Sequence, residues 1–386
     1  VWDGESDSVD PKKLRSIVQV FDCPPLDTDS RRFIDWVADW TLAAPGLVAR
    51  MFLRAPAAFD PEPMLEGLRF RGGTPERMTD ARKKVLELSQ DGLAWTRTGL
   101  ANAAGVSSSV VDGLEAQGLF DKIAIPPQPV AAMPDPSFGV PELSPDQAEA
   151  AEILRQKVGA GFSVTLLDGV TGSGKTEVYL EAVAAALEAG QQVLVLVPEI
   201  ALTAAFLDRF HDRFGAKPAE WHSEMSPKMR ERVWRQVAEG RVRVVAGARS
   251  ALFLPFRELG LIVVDEEHDP AYKQEDRVFY NARDMTVVRA HLGRFPAILA
   301  SATASIETRV NVRQGRYGSA VLPGRYAQAA MPDLAAIDMR RHPPARGGFL
   351  SPVLLGEVEK TVARGEQVLL FMNRRGYAPL TLCRAC

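Results

Sequence analysis

The residues with the clearest chemical potential are Gly169, Gly172, Ser173, Gly174, Lys175 and Thr176, which make the pattern Gly-x-x-x-x-Gly-Lys-Thr inside SVTLLDGVTGSGKT. Gly172 and Gly174 let the backbone curl so that successive N–H groups point inward as a nest for an anion. Lys175 can then reach the β- and γ-phosphates of a nucleotide, and the Thr176 hydroxyl can ligate Mg²⁺. A glycine-rich turn that binds nothing is the plainer alternative. Downstream, LIVVDEEH puts Asp265 and Glu266 at the end of an apolar run. Asp265 is suited to hold Mg²⁺ through water, and Glu266 to orient and deprotonate an attacking water. An ordinary capped turn could carry the same two carboxylates. Ser301-Ala302-Thr303 ends a third apolar run, with hydroxyls able to sense a γ-phosphate.

These groups need a scaffold that brings distant segments to one edge. From Leu143 onward, strand-like runs fall at Val164–Asp168, Gln192–Val197, Val242–Gly247, Leu261–Asp265 and Ala297–Ser301, with helix-patterned segments between them. That alternation predicts an α/β fold: a parallel sheet covered on both faces, with ligand at the carboxyl ends of the strands. The glycine loop leads into EVYLEAVAAALEAG, a helix whose positive end adds to the anion site.

The front of the chain is organised differently. Residues 1–70 combine a strand-like SIVQVFD with RRFIDWVADWTLA, where Phe33, Trp36, Val37 and Trp40 share one helical face. A small core suits that face, and base stacking is the alternative. Lys12, Lys13 and Arg15 cluster just before the strand, as a solvated edge or a phosphate contact. Residues 76–125 predict a winged helix: a helix, a tight turn at Gly105, a second helix capped by Ser107, and a return strand from Phe120 to Ile125. That second helix carries Asp112 and Glu115 and no Lys or Arg, so a structural or protein-contact role suits it at least as well as reading DNA. Residues 126–142, with six prolines from Pro126 to Pro141, are expected to form a semi-rigid linker that does not pack.

Across all 386 residues the net charge is −3, so any DNA contact must come from local patches. No apolar run approaches a membrane span and no signal-peptide pattern opens the sequence. Three cysteines argue against a disulfide framework, and the chain reads as cytosolic. It begins without Met and stops at Cys383-Arg-Ala-Cys386, so both ends read as cut.

The order of glycine loop, DEEH and SAT resembles superfamily 2 helicases. The runs VPEIALT, WHSEMS, GARSALFLPF, DEEHDPAYKQED with YNARD, and LLFMNRRGYAPLTLCRAC are similar to the primosomal replication-restart DNA helicases. VWDG and KKLRSIVQVFD are similar to the latter part of that family's 3′-end-binding domain. The resemblance implies an ATP-dependent 3′-to-5′ DNA helicase that binds stalled or repaired forks and initiates primosome assembly. It implies a RecA-like first helicase lobe at 143–330, preceded by a small β-rich DNA-binding domain within 1–70 and the winged helix. The start of a second lobe and of a zinc-binding insertion would occupy 331–386. Lys175, Asp265 and Glu266 take the catalytic positions, and Gln147 takes that of an adenine-contacting glutamine. The family's aromatic-rich loop maps onto residues 268–280, with Tyr272, Lys273, Phe279 and Tyr280 facing the strand. Arg249 and Ser250 would meet the DNA backbone, as would Arg15 in the front domain. Cys383 and Cys386 match the first pair of zinc ligands. Implied cofactors are ATP and Mg²⁺, with Zn²⁺ in the complete protein. Implied partners are branched and single-stranded DNA, single-stranded DNA-binding protein and primosome or helicase-loader proteins, in the bacterial cytoplasm near the nucleoid and without a membrane. Ala248 and Ala304 depart from the family's GTRS and SATP. The second lobe's arginine finger is not in this sequence, so the chain alone is expected to bind nucleotide weakly and not to translocate. The alternative function is a fork-binding scaffold with an inactive motor, against which intact Lys175, Thr176, Asp265 and Glu266 speak. Another superfamily 2 translocase would lack a preference for forks with a free 3′ leading-strand end.

Overall fold

In the computed structural model the described residues are 17, 19–198, 204–324 and 333–371. Asp27 accepts a hydrogen bond from the Ser30 amide at 2.6 Å and so caps the first helix, α1 (Thr28–Thr41). The apolar stripe foreseen there is present: Phe33, Ile34 and Val37 are buried, while Trp40 stays exposed and stacks on Trp36 at 5.4 Å. A second helix, α2 (Pro45–Phe52), starts with Pro45 in its first turn, where the missing N–H costs nothing. Neither helix makes a free-standing domain. Phe33 and Phe52 each lie 5.6 Å from the ring of Phe253, and the Trp234 indole donates to the Phe52 carbonyl at 2.6 Å. Both partners belong to the sheet-based lobe described below. The expectation of a β-rich front domain is therefore corrected over 19–64, whose described residues are helical or irregular. An amphipathic helical face with a larger core to join decides the local structure.

The winged-helix module begins earlier than expected. Strand β1 (Leu65–Phe70), grouped by sequence with the front segment, is the centre of a three-stranded antiparallel sheet. Its neighbours are β2 (Ala94–Thr96) and β3 (Phe120–Ile125), the latter in register from Leu65 opposite Ile125 to Phe70 opposite Phe120. A lone strand has no stability of its own, so the ladder fixes the boundary at 65 rather than 76. Helices α3 (Asp80–Ser89), α4 (Arg97–Ala104) and α5 (Ser108–Glu115) close over it around Leu68, Val85, Leu100, Val111 and Leu114. Gly105 makes the α4–α5 turn at φ +63°, and Ser107 holds the cap position. The Ser107 hydroxyl lies 2.7 Å from Ser109 Oγ instead of binding the helix amides. On α5, Asp112 and Glu115 are both paired with Arg97 (2.9 and 2.8 Å), and Glu115 also with Lys122 (2.9 Å).

Residues 126–142 pack along the lobe, contrary to the expectation of a semi-rigid linker that does not pack. The Val130 amide donates to Gln236 Oε1 (3.0 Å), Asp135 to the Phe214 carbonyl (2.9 Å) and Gly139 to the Arg213 carbonyl (3.1 Å). Proline-rich chain has few amides to satisfy, and the ones it has are used to tie it down.

The lobe itself follows helix α6 (Pro145–Arg155), and its elements run β4 (Ser163–Gly169), α7 (Lys175–Glu188), β5 (Gln192–Leu196), α8 (Ala204–Phe214), β6 (Ala219–Trp221), α9 (Pro227–Ala238), β7 (Val244–Gly247) and β8 (Leu259–Val264). A short pair, β9 (Lys273–Gln274) and β10 (Tyr280–Asn281), precedes α10 (Ala282–Gly293), β11 (Pro296–Ser301), α11 (Ile306–Arg313) and β12 (Gly318–Leu322). Seven parallel strands are ordered β12-β4-β11-β8-β5-β7-β6. Along β5, Val193 and Val195 face one core while Leu194 and Leu196 face the other, so the run is apolar throughout because both faces are covered. A second unit begins at Ala329, and in it α12 (Pro352–Ala363) is capped by Ser351, whose hydroxyl accepts from the Leu354 amide at 3.1 Å. Among the described residues no helix is long and apolar enough to cross a membrane.

Candidate active site

Strands β4, β11 and β8 are neighbours, so the glycine loop, the SAT segment and the DEEH segment emerge side by side from one edge of the sheet. Gly172 (φ +80°) and Gly174 (φ +82°) hold left-handed conformations that only glycine adopts cheaply. A Cβ on Gly174 would also collide with the Gln147 amide. The Lys175 ammonium donates back to the Gly169 carbonyl at 3.0 Å, folded into the loop it would leave on meeting phosphate. Ser173 Oγ is buried without a hydrogen-bond partner. An orphaned hydroxyl, left-handed glycines and a cation inside one loop fit an anion of phosphate type.

Gln147 is buried, 3% exposed, and does two local jobs. Its Oε1 accepts from the Ser144 amide (3.0 Å), completing a capping box on α6, and its Nε2 donates to the Ser173 carbonyl (2.9 Å). It thus braces the glycine loop. Beside it a cavity of about 450 Å³ is lined by Leu143, Gln147, Gly172, Gly174, Glu177 and Arg209.

On the facing strand end, Asp265 Oδ1 accepts from the Glu266 amide (3.0 Å) and Oδ2 from the Tyr179 hydroxyl (3.0 Å). Burial, and then the neighbouring Glu266 charge, push the Asp265 carboxyl above its ordinary value. Burial and the same carboxylate push the Tyr179 hydroxyl well up, so it remains a donor. Thr176 lies near enough to the same hydroxyl to act on it, so the two expected Mg²⁺ ligands flank one phenol. Sequence reading missed Tyr179, although its place one turn after Thr176 was available as a signal. Glu266 has φ +46°, a costly conformation for a residue with a Cβ. His268 Nδ1 lies 3.6 Å from Glu266 Oε2 and 2.8 Å from Ser301 Oγ, which links DEEH to SAT. Glu267, also missed, is buried and accepts from the Ser305 amide (2.6 Å), Thr308 Oγ1 (3.0 Å) and Arg283 (3.3 Å).

The expected strand-facing residues divide. Arg249 is half-buried and donates to the Ala271 and Lys273 carbonyls at 2.8 and 3.1 Å. Ser250 Oγ accepts from the Trp221 indole at 3.2 Å beside it, and Lys273 is exposed. Tyr272 and Tyr280 are corrected: they are only 1% and 5% exposed and belong to the lobe core, out of reach for base stacking. The Tyr272 hydroxyl is shared between the Leu196 and Asp265 carbonyls (3.0 and 2.6 Å), and Tyr280 packs on Phe253 at 5.2 Å. Phe279 is the exposed ring. Arg15, Cys383 and Cys386 lie outside the described residues. Among those described, no cluster of three or more His, Cys, Asp or Glu could hold a metal ion.

A parallel sheet with a phosphate loop, an Asp-Glu pair and a Ser-Ala-Thr segment on three adjacent strand ends has the architecture of a RecA-like helicase lobe. Residues 144–312 match the family model described as DEAD/DEAH box helicase. Within that class the chain is PriA-like. It is 35% identical to replication restart protein PriA of Haemophilus influenzae, over 97% of this chain and 52% of that protein. It is 44% identical to PriA of Rickettsia felis, over 65% of this chain and 38% of that one. The chain therefore spans about half, or less, of the length of the curated relatives it matches. RecG bound to a three-way DNA junction is 20% identical with a TM-score of 0.38, over 58% of this chain and 28% of that one.

Proposed function

We propose that this chain is the nucleotide-cradling portion of a 3′-to-5′ DNA helicase that acts on stalled or repaired replication forks and initiates primosome assembly. The observation that carries the reading is the Asp265 carboxylate held by the Tyr179 hydroxyl one helical turn after Thr176, with the Lys175 loop and Glu266 at neighbouring strand ends. ATP with Mg²⁺ supplies the phosphoanhydride whose hydrolysis drives strand movement. The amides after Gly172 and the Lys175 ammonium bind its phosphates. Thr176 would ligate Mg²⁺ and Asp265 would hold it through water, with Tyr179 fixing the Asp265 carboxylate for that task. Glu266 orients the attacking water and takes its proton. Gln147 shapes the adenine side through the loop it braces, in the cavity it shares with Leu143 and Arg209. His268 and Ser301 carry the state of the site toward the face that holds Arg249, Ser250 and Lys273. Branched and single-stranded DNA are the substrates in this reading, and single-stranded DNA-binding protein and a helicase loader the partners. Cys383 and Cys386 would supply two of the four ligands of Zn²⁺.

The test is unwinding of model forks by the full-length parent protein, with and without a free 3′ leading-strand end, beside Lys175→Ala. Unwinding that prefers the free 3′ end and vanishes in the variant supports the proposal. Equal unwinding by the variant would favour a scaffold whose motor is idle.

A further inference from the structure

Past the last residue of α2, Arg54 lines three adjoining cavities on the face that holds Arg249. In one, of about 330 Å³, it joins Arg230 and Arg249. In the next, of about 260 Å³, it joins Arg50 and Arg277. In the third, of about 460 Å³, it joins Arg249, Lys273 and Arg277. Six cations thus line a continuous groove whose carboxylates are Glu275 and Asp276. Those two are spent locally: Glu275 pairs with Lys273 at 2.5 Å, and Asp276 lies 3.8 Å from Arg277. Arg50 and Arg54 are exposed and make no ion pair or side-chain hydrogen bond among the described residues. A groove with this charge on a protein of net charge −3 is a local feature that bulk composition hides.

The position of Arg54 is fixed rather than incidental. Phe52, two residues earlier, is buried against Phe253, and its carbonyl accepts from Trp234. Arg54 and Arg249 are both near enough to Tyr280 to favour its charged form, against the burial that pushes its pKa up to about 12. With Tyr272 and Tyr280 turned inward, the groove offers guanidinium forks and few rings. That chemistry suits phosphodiester groups, which arginine binds bidentately, and does not read bases.

We infer that Arg50 and Arg54 extend the strand-binding face of the lobe by two phosphate contacts, so that the α1–α2 segment is part of the nucleic-acid track. The occupant is the backbone of single-stranded DNA. This inference rests on the proposed function insofar as the lobe engages a single strand at all.

The experiment is the salt dependence of oligothymidine binding by the 386-residue chain, for the wild type, the double variant Arg50→Ala/Arg54→Ala, Arg249→Ala, and Arg32→Ala as an exposed control on α1. Each lost phosphate contact lowers the slope of log affinity against log salt by about 0.7 on a single strand. The double variant is expected to lose about 1.4 from the slope, Arg249→Ala to lose part of it, and Arg32→Ala none. The Arg50→Lys/Arg54→Lys pair should restore the slope if the loss is one of charge and not of folding. An unchanged slope in the double variant, with a reduced slope in Arg249→Ala, overturns the inference and leaves the helicase reading standing. Absence of single-strand binding by the wild type overturns both.

Discussion

At the scale of single residues, the site depends on groups that hold other groups. Asp265 is useful only if its carboxylate is aimed, and the Tyr179 hydroxyl at 3.0 Å aims it. Removing that hydroxyl leaves the ring to fill the core, so stability should change little while metal handling suffers. Tyr179→Phe is predicted to weaken Mg²⁺-dependent nucleotide binding by about tenfold, the usual scale for partners that orient a ligand. Metal titration of the binding of a fluorescent nucleotide checks this, and a variant indistinguishable from wild type would remove Tyr179 from the account. Glu266 adds a second point. Its φ of +46° is strain at a residue whose role is chemical, and the Asp265 side chain bonds its amide as part of holding it there.

At the scale of elements, the α1–α2 pair is fastened to the lobe by Arg289 of α10. This guanidinium is buried, donates to the carbonyls of Leu252 and Leu254, and lies 5.5 to 5.8 Å from the rings of Phe33, Phe52 and Phe256. Burial lowers its pKa to about 10, so it is still charged at neutral pH. Arg289→Ala would orphan the buried Leu252 carbonyl, leave Leu254 with the Phe256 amide alone, and open a void among three rings. The expected loss is about 2–4 kcal/mol of stability, measured as a shift of the denaturant midpoint. A midpoint within 0.5 kcal/mol of wild type on that scale would show that the two helices are held by their apolar faces alone.

Elements also mark what the sequence could and could not disclose. The long buried strands and the glycine loop were legible because apolar runs and a fixed motif carry their own signal. Edge strand β6 has three residues, too few for a period to register, and β12 lies beyond the last motif. The direction of the aromatic rings was harder. Residue type says that Tyr272, Phe279 and Tyr280 are large and flat, not which way they point. Val278 and Tyr280 are buried and Phe279 is exposed, an alternation of extended chain that the sequence held unread. Gln147 shows the same limit: a motif position named the residue, and only the fold shows that its amide braces the Ser173 carbonyl.

At the scale of the whole molecule, the proposed function is spread along the carboxyl edge of one parallel sheet. The carboxyl ends of β4, β11 and β8 gather the phosphate chemistry, while α2, the turn after β7 and the β9–β10 pair gather the cations of the groove. The winged-helix module, by contrast, consumes the charges of α5 internally through Arg97 and Lys122, which leaves little for an external phosphate. The most direct test of this arrangement is DNA-stimulated ATP hydrolysis by the full-length protein carrying Glu266→Gln or Lys175→Ala. Glu266→Gln is predicted to keep nucleotide affinity and to lose at least about a hundredfold in kcat, while Lys175→Ala loses affinity as well. Hydrolysis by Glu266→Gln at the wild-type rate would contradict the proposed role of Glu266.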